Sequence, residues 1–203
     1  MSVEIKKISF DGIEAAAQLL TENFVTDAGV VVLFKKNDPK YARKVKAWYR
    51  ATLRMLMTNQ QFISGAYIED QLVGVSVVTH STLQPSLVSI LKWTWTILFS
   101  CHWSTVIKSA KHDQHRKTSL TDKNQYILEF IAVNTNYRGK GIGKCLFANL
   151  HDHAKATKAS VWLETTKKHN IAIFKKMNYD LVGEKSELSV KYYVMTNENK
   201  EVI

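Results

Sequence analysis

Residues 126–144 read Tyr126-Ile127-Leu128-Glu129-Phe130-Ile131-Ala132-Val133-Asn134-Thr135-Asn136-Tyr137-Arg138-Gly139-Lys140-Gly141-Ile142-Gly143-Lys144. Tyr126 to Val133 is apolar except at Glu129 and predicts a buried strand. A short polar connection and a glycine-rich turn follow, and then a helical pattern runs to about Thr157. Glycines between a strand and a helix let successive backbone amides close on an anion, because no side chain stands in the way. The helix start adds unpaired N–H groups and the positive end of its dipole. Arg138, Lys140 and Lys144 add full charges, so the turn predicts a pyrophosphate site. Its spacing is not the dinucleotide fingerprint, which needs two residues before the third glycine. It is not a Walker loop either, since no Gly-Lys-Ser/Thr ending follows. The plainer alternative is a tight strand-to-helix connection with no ligand.

Downstream, Ala159 to Glu164 predicts a strand, His169 to Met177 a helix, and Tyr179 to Glu184 and Leu188 to Thr196 two more strands. Asn197 to Ile203 reads as a frayed polar tail. Upstream, Val3 to Ser9 is a short strand. Asp11, three residues before Glu14, resembles a capping box for a helix through Phe24. Asp38-Pro39 opens a second helix, with Asp as N-cap, running to about Thr58. Gln61 to Ile68 and Leu72 to Thr79 flank Glu69-Asp70-Gln71 as a hairpin. Strands alternating with helices imply an α/β or α+β sheet, with parallel pairing around the glycine-rich turn. We expect one domain over residues 1–203, with a helical and loop insert at about 85–124 and a polar tail at 197–203.

Within the insert, Leu87 to Ile107 is nearly long enough to cross a bilayer. Lys92, His102 and several Ser and Thr interrupt it, which favours a protein-buried or site-lining helix. Trp95, Phe99 and Trp103 recur at a spacing of four and share a helical face. They could wall an acceptor cleft, or else belong to a core helix or a dimer interface. The polar stretch from His112 to Asn124 reads as a loop.

The chain has 203 residues, 45% of them hydrophobic and 23% charged, enough to build a core and to argue against disorder. Its net charge of +10 attracts phosphates, whether on nucleic acid, lipid or a nucleotide. No zinc-ligand spacing, RNP-like motif or basic zipper accompanies that charge, so no nucleic-acid partner is expected. Cys101 and Cys145 are isolated, and the N-terminal stretch lacks the apolar core of a signal peptide; a reducing cytoplasm is the expected setting. No metal site and no stable membrane insertion are expected.

The strand, the short loop and the Arg-x-x-Gly-x-Gly/Ala-like turn from Leu128 to Gly143 resemble the acyl-CoA-binding motif of the GNAT N-acetyltransferases. The likeness continues through Leu163-Glu164-Thr165, Asn170 and Phe174 to Tyr179, and covers roughly Tyr126 to Glu184. The insert ending in His112 to Arg116 is similar to the puromycin-acetyltransferase-type branch. The resemblance implies a central mixed, mostly antiparallel sheet of about six to seven strands flanked by helices. It also implies acetyl-CoA as co-substrate and an amine of a small molecule or peptide as acceptor, with direct transfer in a ternary complex by a monomer or homodimer. The main chain of Ile131, Ala132 and Val133 would pair with the pantetheine arm. Arg138, Gly139, Lys140, Gly141, Ile142, Gly143 and Lys144 would hold the pyrophosphate. Asn170 and Phe174 would shape the channel, although Asn170 could equally cap the helix after it.

Phe174 stands where the family commonly has a proton-donating tyrosine. Tyr179, Tyr192 and Tyr193 are unranked substitutes. For the base we expect Glu129, where the family often places a carboxylate; its parity with Ile131 and Val133 puts all three on one sheet face. A structural, salt-bridged Glu129 is the alternative, and His112 and His115 are weaker candidates. Three readings remain open: an N-acetyltransferase, a catalytically weak acyl-CoA-binding regulatory module, and a basic nucleic-acid or membrane-surface binder whose glycine turn is coincidental.

Overall fold

The computed structural model describes residues 2–35, 37–117, 120 and 124–198. Its strands are β1 (Glu4–Lys7), β2 (Phe62–Ile68), β3 (Gln71–His80), β4 (Gln125–Val133), β5 (Ser160–Thr165), β6 (Asp180–Glu187) and β7 (Val190–Thr196). The helices are α1 (Ile13–Phe24), α2 (Ala28–Val31), α3 (Tyr41–Thr58), α4 (Leu87–Ser100), α5 (Trp103–Lys117), α6 (Ile142–Ala156) and α7 (Asn170–Lys175). The strands form one seven-stranded sheet in the order β1-β2-β3-β4-β5-β7-β6. Every neighbouring pair is antiparallel except β4 and β5. Two hairpins turn on residue pairs with positive φ, Glu69-Asp70 and Leu188-Ser189, which matches the twist of the flanking strands.

Helices cover both faces. On one, α1 and α3 bury Leu20, Val45, Trp48, Tyr49 and Leu53 against Val75, Val77 and Ala132. Phe130 of β4 packs edge-on against Tyr49 with ring centroids 5.2 Å apart. Such pairs add about 1 kcal/mol beyond the area they bury. On the other face α6 and α7 bury Phe147, Leu150 and Phe174 against Val78, Leu128 and Leu163.

Local expectations are adjusted in several places. Helix α1 has Gly12 as N-cap with no side-chain bond, so the Asp11–Glu14 capping box does not form; a 3-10 turn at Phe10–Gly12 leads into the helix instead. Asp38 accepts from the Lys40 amide, and α3 starts at Tyr41 with Lys40 as its cap. The stretch from His112 is not a loop, because α5 continues to Lys117. Asn197 is not frayed: it is buried, and its Oδ1 accepts from the Val161 amide at 2.6 Å. Residues 199–203 of the expected tail lie outside the described residues. Among the described residues no helix is long and apolar enough to cross a membrane.

Candidate active site

Strands β4 and β5 run side by side from Gln125↔Ser160 to Leu128↔Leu163, and there their pairing ends. Beyond that point β4 follows β3 as far as Val133, while Glu164 and Thr165 follow β7. The two strands therefore part like the arms of a V. The edge of β4 from Glu129 to Val133 faces this opening, and its main-chain groups there have no β5 partner. An extended ligand with an amide backbone could pair with such an edge as an added strand does.

The parting coincides with a β-bulge. Val77 pairs with Phe130 and Val78 with Leu128, so Glu129 is the extra residue. The bulge reverses the alternation that sequence parity assumes. Ile131 packs into the clusters under α6 and Val133 into one of them. Glu129 lies on the opposite face, where Thr79 Oγ1 donates to its Oε1 at 2.7 Å and Arg116 of α5 donates to its Oε2. The expected common face for Glu129, Ile131 and Val133 is thus corrected, and Glu129 is a salt-bridged carboxylate.

Arg116 also donates to Asp113 Oδ1 at 2.6 Å. One turn earlier on α5, His112 stands between two carboxylates, with Nε2 3.2 Å from Glu164 and Nδ1 2.9 Å from Glu187. Burial and the Arg116 charge would lower the pKa of His112, but the hydrogen bond and charge of Glu164 and the hydrogen bond to Glu187 outweigh them and raise the value. Lys185 of β6 reaches the second oxygen of Glu164 at 2.8 Å. These groups clasp α5 to the sheet across β4, β5 and β6, at the mouth of the V. Sequence reasoning missed Arg116, Lys185 and Glu187. The signal lay in the helical spacing of His112, Asp113 and Arg116, but their partners are distant in the chain. His115 is exposed on α5.

At the far end of β4, Asn134 caps a 3-10 turn by accepting from the Asn136 amide at 3.0 Å. Arg138 is tied to Asn23 of α1 at 2.7 Å. Gly139 and Gly141 then take φ of +76° and +82°, where a side chain would be strained, and Gly141 is the N-cap of α6. Gly143 is different, for it sits in the regular helix. Apart from chain neighbours and the helix's own backbone, no described residue lies within 4 Å of where a Cβ would stand at any of these three glycines. A helical glycine costs about 1 kcal/mol relative to alanine, and no packing demand offsets that cost at Gly143. Open space over amides at a helix start is what an anion would occupy. Arg138, Lys140 and Lys144 are exposed around it. The residues present therefore fit a pyrophosphate.

Asn170 starts α7 and donates to Thr165 Oγ1 at 2.9 Å, which fixes the helix to the end of β5. Phe174 is buried against Phe147 and Tyr179 in the α6–α7 core. Tyr179 is fully buried there, donor or acceptor to His151 Nε2 at 2.8 Å, and burial pushes its pKa up. Of the three candidate tyrosines, Tyr192 lies on the Glu129 face, with its ring 5.3 Å from that of His112. Its pKa is also raised by burial first and then by Glu164 and Glu187.

The aromatic segment divides between the core and the surface. Trp93 turns inward to Thr52, whereas Trp95 and Phe99 face solvent. Helix α4 ends at Cys101, its C-cap, so Trp103 belongs to the next helix. The single buried or site-lining helix expected for Leu87 to Ile107 is instead two helices, with Ile97 buried and Trp95, Phe99 and Trp103 exposed. Among the described residues no group of His, Cys, Asp or Glu could hold a metal ion.

The profile of the acetyltransferase (GNAT) family matches residues 32–179. No curated protein matches significantly. The chain superimposes on a histone acetyltransferase and related acetyltransferase from Corynebacterium glutamicum with a TM-score of 0.71 and 15% identity, covering 97% of this chain and 96% of that one. PaiA N-acetyltransferase from Thermoplasma acidophilum, in complex with coenzyme A, gives a TM-score of 0.60 at 14% identity over 97% and 98% of the two chains. Ribosomal-protein-S18-alanine N-acetyltransferase from Escherichia coli gives 0.55 at 12% identity over 96% and 92%. At these identities the likeness to solved structures speaks for the fold.

Proposed function

The chain belongs to the acetyltransferase (GNAT) family, and from that premise we propose that it transfers an acetyl group from acetyl-CoA to a primary amine of a small molecule or peptide. The observation that carries this reading is the joining of two features by one strand. The edge of β4 lies open where β5 departs, and the open glycine turn follows directly at its end. The first suits a pantetheine arm and the second its pyrophosphate. The coenzyme A complex of the Thermoplasma relative supports the same choice of ligand.

The co-substrate supplies an activated acyl group as a thioester. The main chain of Ile131, Ala132 and Val133 holds the arm as a neighbouring strand would. The amides and cations from Arg138 to Lys144 take the phosphates, while Asn170 and Phe174 support the wall on the β5 side. Transfer within a ternary complex forms an N–C bond, breaks the C–S bond and removes one proton from the amine. Glu129 stands at the parting of the strands to receive that proton, directly or through water. A carboxylate has about four acceptor positions, so the bonds from Thr79 and Arg116 leave lone pairs unused. Tyr192 shares this face and can supply a proton to the departing thiolate. Much of the rate comes from holding the two reactants in line. We place the reaction in the cytoplasm, where Cys101 and Cys145, both free thiols, stay reduced.

A second reading, that of an acyl-CoA-binding regulatory module with weak turnover, draws support from the α5 clasp. His112 and Arg116 stand over Glu129 and Glu164 at the mouth of the opening. Calorimetry with acetyl-CoA tests the binding half shared by both readings. Thiol release across a panel of amines separates them: tight binding with no turnover on any amine would favour the module, and absent binding would overturn both.

A further inference from the structure

Helix α4 is held to the body by one narrow stripe. Ser89 and Ile97 are buried, and Trp93 donates to Thr52 of α3 at 3.0 Å. Its other side is apolar and open to solvent. Leu87, Leu91, Trp95 and Phe99 recur every fourth residue along it, with Leu87 79% and Phe99 81% exposed. Trp95 and Phe99 stack with centroids 5.4 Å apart. Trp103 and Ile107 of α5, also exposed, extend the apolar surface past the break at His102. The row on α4 alone is about 18 Å long at 1.5 Å per residue. A soluble monomer rarely leaves so continuous an apolar surface without a partner.

Charge selects the partner. Residues 71–112 contain no Asp or Glu, and α3 contains none either. The same helices carry exposed Arg43, Arg54, Lys92 and Lys111, in a chain of net charge +10. A second copy docked by two-fold symmetry would set these cations against one another with no carboxylate on α3 or α4 to meet them, and the one on α5, Asp113, is held by Arg116. An anionic surface meets them directly. Apolar and tryptophan side chains on one side of α4, with Lys92 on the same helix and further exposed cations on α3 and α5, suit a helix lying in the plane of a bilayer interface.

We propose that α4 and the start of α5 form a peripheral docking surface for bilayers containing anionic phospholipid. The aromatic row enters the acyl boundary and the flanking cations pair with headgroup phosphates. Binding is reversible and weakens as salt rises.

The test is co-sedimentation of the full chain with vesicles of phosphatidylcholine and phosphatidylglycerol, in a ratio of roughly three to one, against phosphatidylcholine alone. The chain should pellet with the mixed vesicles only, and its tryptophan emission should shift to the blue. The double variant Trp95→Ser/Phe99→Ser should bind them at least about tenfold more weakly. Both positions are exposed, so its melting temperature and its affinity for acetyl-CoA should stay as they were. No pelleting with mixed vesicles, equal pelleting with both kinds, or undiminished binding by the variant would overturn the proposal. So would a dimer in sedimentation equilibrium that the double substitution dissolves, which would assign the surface to a second copy. Failure of acetyl-CoA binding would bear on the proposed activity and leave this surface untouched.

Discussion

Arg116, near the end of α5, grips the carboxylate of Glu129 at the bulge where β4 separates from β5. Their side chains are 13% and 11% exposed, so neither charge is strongly screened by water. Removing one member of a buried pair leaves the other uncompensated. Arg116→Met should therefore cost about 3 kcal/mol, read from urea denaturation midpoints. Glu129→Gln should lower kcat/KM on the best amine about a hundredfold with acetyl-CoA affinity unchanged by calorimetry. Loss of affinity in parallel with rate would place Glu129 in the architecture of the cofactor site and not in the chemistry.

Gly143 offers a substitution that separates fold from ligand. Gly143→Ala should stabilise the free protein by up to about 1 kcal/mol through helix propensity. It should also weaken acetyl-CoA binding roughly tenfold by placing a methyl over the amides. Gly141→Asp should abolish binding, since it adds strain at positive φ and a negative charge in the cradle. Thermal melting and calorimetry on the same preparations read both effects. An alanine variant that is stabilised and still binds normally would move the phosphates away from this turn.

Stability should depend on pH through the α5 clasp. The folded pKa of His112 lies above its ordinary 6.5, so the folded state holds this proton more tightly than the unfolded one. Its contribution is complete below about pH 6.5 and is lost as pH rises through the folded value. Glu164 runs the other way. Burial would raise its pKa, but His112 and Lys185 lower it below the ordinary 4.5, so its contribution exists above that value and fades as pH falls. Melting temperature should decline from about pH 6 to pH 9, and His112→Gln should flatten that decline. An identical slope in the variant would detach the effect from this histidine.

The tyrosines can be told apart by the faces they occupy. Tyr179→Phe should cost about 1 kcal/mol for the lost bond to His151 and leave the rate of transfer alone. Tyr192→Phe should slow transfer while leaving acetyl-CoA affinity intact. Steady-state kinetics of the two variants would settle the order, and a slower Tyr179→Phe enzyme with normal stability would reverse it.

Much of this architecture can be read along the chain, because strand β4, the glycine turn and α6 announce themselves by local pattern. Apolar periodicity, glycine at positive φ and basic residues all act within a few positions of one another. Glu129 shows where such reading stops. No glycine or proline marks the bulge beside it, so alternation assigns it to the wrong face. The His112–Arg116 run looks like a solvated basic loop because its partners, Glu129, Glu164 and Glu187, come from three strands elsewhere in the chain. Helix α4 is the reverse case: its tryptophans suggest burial, and only the packing on α3 reveals that a single stripe is used.

The sheet order places β7 between β5 and β6, although it follows both along the chain. During synthesis, β5 must wait without its second neighbour until β7 emerges and inserts beside it. The Glu164 and Thr165 wall of the opening pairs with Val194 and Tyr193, and Asn197 closes the join on Val161. A chain still being made can have its glycine cradle complete while the opposite wall is missing. Under the proposed function, cofactor capture would then come late in biogenesis, timed by the final strand and not by the glycine turn.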